Sequence, residues 1–376
     1  MLNLDSIKIE VREVDISGFV RGLTIYESMF GMVQGQIAVQ DSTNFFDTMI
    51  GSELATVDIS FSYFKNEFKC SFYMDGISNM KMDLEKKNYT IHLKSIHSTN
   101  FTTAVNGVYN GRSDEIIGLI FENISSPNAT IKMDSVAATS GKYIAPNIPA
   151  SKCFKTITSN SYCKDQTSMF LYQRFCDDNN LRLTSLYDMI NNNIFSNVNG
   201  TPIVVKQSLM ASDSLNPLDV IGTASNFELK EYNMDLLDKL EKGVYGNAIN
   251  EINLDETKKT SNITKEVTSV PITRFKTSNK LYDNDVKSIL ANRGDVSSGT
   301  IINKTIRVFN TVMEINSMAA LPGLGSGMTI ECQLGGNKEQ GTARHNGKWL
   351  VKNMQHNFTQ TAGEYSYAQD LGLVRE

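Results

Sequence analysis

Gly51-Ser52-Glu53-Leu54 opens a stretch that runs through Val57, Ile59 and Phe61, then Phe68, Cys70 and Phe72, then Tyr89, Ile91 and Leu93. Gly325-Ser326-Gly327-Met328 opens a second. It runs through Ile330, Cys332 and Leu334, then Trp349, Val351 and Asn353, then Tyr365, Tyr367 and Leu371. Apolar residues recurring at every second position mark a strand with one buried face. Each stretch therefore predicts three strands behind a short glycine-led turn, and residues 325–371 read as a worn copy of residues 51–93. The match is one of pattern, not identity, which two unrelated antiparallel meanders would also give. Duplication has a functional corollary: a trimer of a chain that carries one module twice can meet a six-fold partner.

Around the first copy, the opening hundred residues read as strands. Ile7, Ile9 and Val11 alternate, followed by Gly22–Tyr26, Gly35–Val39, Val57–Tyr63, Phe68–Met74 and Tyr89–Leu93. Asp41-Ser42-Thr43-Asn44 and Asp75-Gly76 supply turn chemistry between them. Phe45, Phe46 and Met49 fit one helical turn, and the whole predicts a small antiparallel barrel or closed sandwich. At Gly111 the pattern changes. Ser113 is placed to cap a helix with Asp114 and Glu115 in its first turn and Ile116, Ile117, Leu119, Ile120 and Phe121 as its buried stripe. A second helix is predicted from about Thr167 to Asn179, with Phe170, Leu171 and Phe175 inward, before Leu181-Arg182-Leu183 resumes as a strand. Strands return at Pro202–Lys206, Phe227–Tyr232 and Val244–Leu254. Residues 278–300 read as an exposed loop with at most a short helix at Val286–Ala291, and Thr305–Glu314 fits either strand or helix.

The expected fold class is therefore mainly β with α/β insertions. The expected division is a first β-barrel over 1–107, a mixed α/β insertion over 108–200, a second barrel from 201–240 and 305–376, and a small peripheral insertion over 241–304.

With 376 residues, the chain is too long for one core and predicts two to four domains. Its 40% hydrophobic and 20% charged content is ordinary globular chemistry, and a net charge of −5 gives no electrostatic case for gripping nucleic acid or an anionic membrane. The N-terminus lacks a charged region ahead of an apolar run, so no signal peptide is expected, and no run of about 18 apolar residues predicts a transmembrane helix. The odd count of 5 cysteines points to free, mostly buried thiols made in a reducing cytoplasm.

A search for chemistry returns little. Cys70, Cys153, Cys163, Cys176 and Cys332 contain no Cys-x-x-Cys pair and read as core thiols. His92, His97, His345 and His356 lie on or beside predicted strands without ligand-spaced partners and read as surface residues. Gly323-Leu324-Gly325-Ser326-Gly327 precedes a strand where a phosphate-cradling loop would precede a helix, so a turn entering a barrel is the better reading. Asp283-Asn284-Asp285 starts like a calcium loop but meets Ser288 where glycine is required. Lys86-Lys87 and Lys258-Lys259 read as solvated turn charges, and no Gly-x-Ser-x-Gly elbow occurs. No catalytic, cofactor-binding or metal-ligating residue is assigned, no cofactor is expected, and no enzyme activity is expected.

Residues 24–61 carry a resemblance. Thr24-Ile25-Tyr26-Glu27-Ser28-Met29-Phe30-Gly31, Gly35-Gln36-Ile37-Ala38-Val39-Gln40-Asp41-Ser42-Thr43-Asn44, Ile50-Gly51 and Val57-Asp58-Ile59-Ser60 together resemble the baseplate central hub protein of T-even-type contractile-tailed phages. Gly111–Glu122 and Thr167–Asn179 resemble that family's two helices after its first barrel. Gly243-Val244-Tyr245-Gly246-Asn247 resembles a glycine-bearing turn of tail hubs. Gly347–Leu373, with Val351–His356 as a strand bearing a polar exit, resembles its last barrel strands.

The resemblance implies two tube-type barrels per chain in a homotrimer. Such a trimer would hold a tail spike protein below, dock a tail tube or tube-initiator protein above, and enclose a channel through which DNA passes without specific binding. It further implies a structural virion protein of the tail baseplate, assembled in the host cytoplasm, with no integral membrane segment. The hub of a contractile injection system is the near alternative. A tail-associated cell-wall hydrolase using two carboxylates, or a receptor-binding tail protein, are the more distant ones.

Overall fold

The computed structural model describes residues 2–43, 45–49, 55–82, 86–125, 130–163, 167–177, 180–196, 203–207, 222–224, 226–232, 248–253, 259–263, 272–276, 311–333, 346–361 and 363–375. The first eight strands are β1 (Leu2–Asn3), β2 (Ser6–Val11), β3 (Val14–Asp15), β4 (Val20–Ser28), β5 (Gln34–Asp41), β6 (Thr56–Tyr63), β7 (Asn66–Met82) and β8 (Lys87–Ser95). A mixed segment follows with β9 (Ala104–Arg112), β10 (Ile131–Met133), β11 (Ser140–Pro149), β12 (Met169–Gln173) and β13 (Leu181–Ser185). Then come β14 (Val204–Gln207), β15 (Thr223–Ala224), β16 (Asn226–Tyr232), β17 (Ala248–Asn253), β18 (Lys259–Ile263) and β19 (Ile272–Lys276). The last are β20 (Thr311–Ala319), β21 (Thr329–Gln333), β22 (Gly347–Thr361) and β23 (Glu364–Arg375). Helices α1 (Phe45–Met49), α2 (His97–Thr102), α3 (Ser113–Ile124), α4 (Ala150–Asn160) and α5 (Leu186–Asn191) sit between strands. The molecule is mainly β.

The two stretches that echo each other in sequence are both antiparallel three-strand meanders. Ile59 faces Cys70 across β6 and β7, and Ile77 faces Ile91 across β7 and β8. Ile330 faces Trp349 across β21 and β22, and Val351 faces Leu373 across β22 and β23. The likeness extends beyond the meanders. The first set is laid out β4-β5-β8-β7-β6 and the second β16-β20-β23-β22-β21. Five strands in the same chain order thus take the same sheet order, all antiparallel. The sets diverge at the next strand: β2 runs antiparallel to β6, whereas β14 runs parallel to β21.

Both sets close on themselves, which removes exposed sheet edges. In the first, β22 pairs with β4, β23 with β22, and β1 with β23, while the same segment continues into β2 against β6. In the second, the Gly222 N–H donates to Ala319 O, tying the β14–β15 end to β20. The long hairpin β22–β23 therefore belongs to both rings. Phe358 and Tyr367 at its tip are buried among Leu23, Ile37, Phe61 and Ile91, and Trp349, Val351, Leu371 and Leu373 at its base are buried with Met313 and Ile330. Each such aromatic taken wholly out of water contributes roughly 1.5–3 kcal/mol.

A β-bulge separates the two halves of β22: Val351 pairs with Leu373 and Asn353 with Gly372, leaving Lys352 without a partner on β23. The bulge shifts the alternation by one. Asn353, expected on the inner row with Trp349 and Val351, is exposed, and Met354 takes the buried place.

The mixed segment has its own core of Ile116, Ile117, Ile120, Phe121, Ala150, Phe154, Leu181 and Leu183. Helix α3 begins where expected, but the residue before its first turn is Arg112, whose N–H donates to the Glu115 carboxylate at 2.8 Å, and Ser113 lies buried inside the helix. Leu119 leaves the expected stripe and is 45% exposed, because the 116, 117, 120, 121 spacing fills the inner face and 119 lies off it. The predicted helix at Thr167–Asn179 is instead strand β12, paired antiparallel to β13 from Met169–Ser185 to Gln173–Leu181. The helix that sequence reading missed is α4, whose Ala150, Cys153, Phe154 and Ile157 form a regular inward stripe. Thr305–Glu314, which fits either strand or helix in sequence, is strand β20 from Thr311. Gly243–Asn247, Asp283–Asp285 and Val286–Ala291 lie outside the described residues. No helix among the described residues is long and apolar enough to cross a membrane.

Candidate functional site: a buried joint between the two β cores

Along β4 the inward row reads Leu23, Ile25, Glu27, Met29, so the pleat delivers a carboxylate to a core position where it is 3% exposed. Burying a charge without partners is costly, and Glu27 has them. Its Oε2 accepts the Phe175 N–H at 2.6 Å, just past β12, and its Oε1 accepts the Ser326 N–H at 2.6 Å, in the glycine-rich turn before β21. One side chain of the first core thus holds backbone from the mixed segment and from the second core.

Neighbouring groups complete the joint. Arg174, 5% exposed, donates from Nε to Ser326 O at 2.8 Å and from Nη2 to Tyr172 Oη at 3.1 Å. The Gln173 N–H donates to Gly31 O at 3.1 Å, and its side-chain carbonyl accepts the Val33 N–H at 3.4 Å, so the β4–β5 turn is gripped from both sides. The turn around Ser326 has no room for larger residues. Gly327 has φ +72°, and a Cβ there would lie 2.6 Å from Tyr172 Oη, while one on Gly325 would lie 2.9 Å from Arg174 Cδ. The Gly323–Gly327 run is therefore a turn into a strand, as read, and its glycines serve close approach of backbone to Tyr172 and Arg174.

From the other side, His356 on β22 places Nδ1 2.6 Å from Tyr367 Oη and Nε2 3.7 Å from Glu27 Oε1. Gln369 donates from Nε2 to Tyr367 Oη at 2.9 Å and to Leu321 O at 3.2 Å, and accepts the Leu321 N–H at 2.9 Å. Burial pushes the Tyr367 hydroxyl well above its ordinary value of 10, so it keeps its proton. Accepting from Gln369, it gives that proton to His356 Nδ1. For a neutral imidazole this assigns the hydrogen to Nε2, facing the Glu27 carboxylate. Phe175 packs on His356 with ring centroids 4.9 Å apart. Glu27, Arg174 and Gln369 are bonded to protein, whereas Gln173 Nε2, Ser326 Oγ and His356 Nε2 are buried with no hydrogen-bond partner among the described residues, and the bonds made tie the two β cores to each other.

Other residues singled out from sequence are dispersed. Cys70, Cys153, Cys163 and Cys332 are buried and Cys176 is half-buried, and none of the five is in a disulfide. His92 is half-buried on the outer row of β8, its Nε2 2.6 Å from Ser78 Oγ. His97 and His356, expected at the surface, are fully buried, because His97 packs beside Phe121 and the bulge turns His356 inward. His345 lies outside the described residues. Lys87, expected as a solvated turn charge, pairs with Asp47 at 2.7 Å over the Phe46 ring. Among the described residues, no cluster of three or more His, Cys, Asp or Glu could hold a metal ion. Glu27 and Arg174 were not recognised from sequence. The available signal for Glu27 was a carboxylate in register with Leu23 and Ile25.

No protein-family profile matches the chain, and no curated protein matches it. Solved structures do. A 43 kDa tail protein of prophage MuSo2 from Shewanella oneidensis superposes with TM-score 0.60 at 7% identity, covering 98% of each chain. A tail protein from Neisseria meningitidis MC58 gives 0.58 at 7% identity, covering 99% of this chain and 96% of that one. An Escherichia coli component of the type VI secretion system, described as structurally similar to the T4 bacteriophage tail proteins gp27 and gp5, gives 0.55 at 8% identity, covering 98% of this chain and 77% of that one. At such identities the likeness is one of fold, and the fold is of the phage-tail type.

Proposed function

We propose that this chain is a structural, non-enzymatic hub of a contractile tail baseplate, acting as a homotrimer that adapts a three-fold spike to a six-fold tail tube. The observation that carries this is the repeated strand order β4-β5-β8-β7-β6 and β16-β20-β23-β22-β21 in one continuous, twice-closed sheet. Three chains with two such cores each would present six similar lobes to a hexameric partner on one face and three identical sites to a spike on the other. The joint around Glu27 supports the reading, because symmetry matching requires the two cores of a chain to hold a fixed angle. The division into a barrel over 1–107, a second from 201–240 with 305–376, a mixed insertion over 108–200 and a peripheral piece over 241–304 belongs to the same proposal. So do a central DNA exit channel and placement in the virion tail.

A second reading, the equivalent hub of a contractile injection system, is favoured by the likeness to the type VI secretion component. Native mass spectrometry with negative-stain imaging tests the shared core of both. A trimer forming a three-fold ring of six similar lobes is the expected result. A chain that stays monomeric when mixed with its spike and tube proteins would overturn it.

A further inference from the structure

Strands β9 and β11 form a two-stranded ribbon with helices α3 and α4 packed on one face. Val105, Tyr143 and Ala145 point into the core beneath, and the outer row pairs Val108 with Ile144 and Asn110 with Lys142. Val108 is 54% and Ile144 45% exposed, an apolar cross-strand pair standing in solvent. The phase of the ladder shows where the backbone of that row points. Ser113 N–H donates to Thr139 O at 3.0 Å, so by alternation Gly111 bonds with Gly141 and Tyr109 with Tyr143. Val108 and Asn110 then turn their N–H and C=O groups away from β11, and among the described residues nothing receives them. Arg112, next in that series, donates its N–H to Glu115 Oε2 at 2.8 Å, which agrees with the phase and ends the open stretch. The two edges are not alike. Strand β11 carries the features that discourage pairing: Lys142, Pro146, a bulge at Asn147 with φ +54°, and Pro149. From Ala104 to Gly111, β9 has no charge, no proline and no bulge.

We infer that the open edge of β9 accepts an extended, acidic segment of a partner protein as a third strand of the ribbon. Donors and acceptors repeating every second residue along an edge are matched by another strand, the strand-addition mode of peptide recognition. The guest's side chains would continue the outer row beside Val108 and Ile144, so a β-branched or aromatic residue belongs there. The charged residues of the ribbon are Arg112 and Lys142, both cations. Arg112 is taken up by Asp114 and Glu115, which leaves Lys142 to favour a carboxylate in the guest. A second copy of β9 is the poorer guest. Its Asn106, Gly107, Asn110 and Gly111 are residue types that strands disfavour and that offer Val108 little to pack on. The edge belongs to one chain, and the inference does not depend on the hub reading.

The test uses the full-length chain with a peptide probe of about eight residues that alternates Val with Thr and ends in a pair of Glu. A second peptide ends in a pair of Lys instead. The variants are Val108→Pro, which removes one outward N–H while leaving the bonds to β11, and Val108→Glu, which keeps the N–H and repels the acidic probe. Amide exchange read residue by residue should find Val108 and Asn110 fast in the free chain and Tyr109 and Gly111 slow. The acidic probe should slow Val108 and Asn110, bind more tightly than the lysine peptide, and bind either variant roughly tenfold more weakly. Slow exchange at Val108 and Asn110 in the free chain would show the edge already covered and overturn the inference. A probe that leaves both amides fast, binds both variants undiminished or shows no preference over the lysine peptide overturns it too. So does protection that rises with the concentration of the chain alone, which would make the guest a second copy.

Discussion

Glu27 shows how a residue that breaks the apolar pattern of its strand can hold more structure than those that keep it. Both its oxygens are committed to backbone N–H groups of other segments. Replacing it with Gln puts an amide nitrogen against one of those donors, and each buried donor left unpaired costs about 1–3 kcal/mol. Glu27→Gln is therefore expected to lower the urea-unfolding free energy by about that amount with an unchanged m-value, and a loss below about 0.5 kcal/mol would show that the joint is dispensable. Asp177 makes a different prediction. Burial alone would raise its carboxyl, but hydrogen bonds and charge from Arg182 and Lys132 outweigh that and hold it below its ordinary 3.8. A carboxyl depressed by folding leaves the unfolded chain the better proton acceptor. Its contribution is therefore complete above about 3.8 and disappears as pH falls through the lowered folded value. Asp177→Asn should lose stability at pH 6 yet approach the wild type at acid pH, so the gap between the two stability–pH curves should close on descent. A gap constant down to pH 2 would mean that the Arg182 and Lys132 contacts contribute nothing.

Strand β22 carries the register of both cores, and its bulge decides which side chains face in. Because side chains alternate with period two, adding or removing one residue within a regular stretch turns everything beyond it to the other face, and the extra residue of the bulge resets that phase. Lys352 is the residue without a partner on β23, and on the β4 side its carbonyl accepts the Met29 N–H at 3.0 Å. Deleting Lys352 would leave Trp349, Val351, Met354, His356 and Phe358 in plain alternation on one inward face, whereas inserting one residue between Met354 and Gln355 would turn His356 and Phe358 outward. Loss of cooperative thermal unfolding, or accumulation as aggregate, is the expected outcome of the insertion, and a sharp near-wild-type transition would refute this register of β22. The same strand shows where the sequence was legible and where it was not. Val57, Ile59 and Phe61 announce β6 because one face is buried without interruption, and each meander was legible as three strands, whereas the pairing of β5 with β8 and of β20 with β23 was not. The bulge left no mark beyond an Asn on an apolar row, so His356 read as a surface residue. Strand β12 read as a helix because Phe170, Leu171 and Phe175 fit helical spacing, yet pairing with β13 fixed it as extended. Tertiary contacts overrode local propensity there. The joint was invisible for a related reason: Glu27, Arg174 and Ser326 are far apart in the chain and meet only after both rings close.

The shared hairpin has a consequence for how the protein unfolds. Two β cores on one chain would ordinarily be able to melt apart, each with its own midpoint. Here Phe358 lies in the first core and Trp349 in the second, nine positions earlier on the same strand, and neither ring closes without β22. Trp349 is the sole tryptophan, so its fluorescence reports the second core alone. Phe358→Ala removes a side chain 1% exposed and stacked on Tyr367 with ring centroids 4.4 Å apart. Such a truncation costs about 3–5 kcal/mol through lost burial and the cavity left behind. If the hairpin couples the cores, a lesion in the first must move the transition seen from the second. The tryptophan signal and the far-ultraviolet dichroism of Phe358→Ala should shift together to one lower denaturant midpoint. A tryptophan transition that stays at the wild-type midpoint while the dichroism splits in two would show the cores to be independent. A hub that must present six lobes at fixed angles needs the first result, because a core free to melt or swing alone could not hold its partner's symmetry.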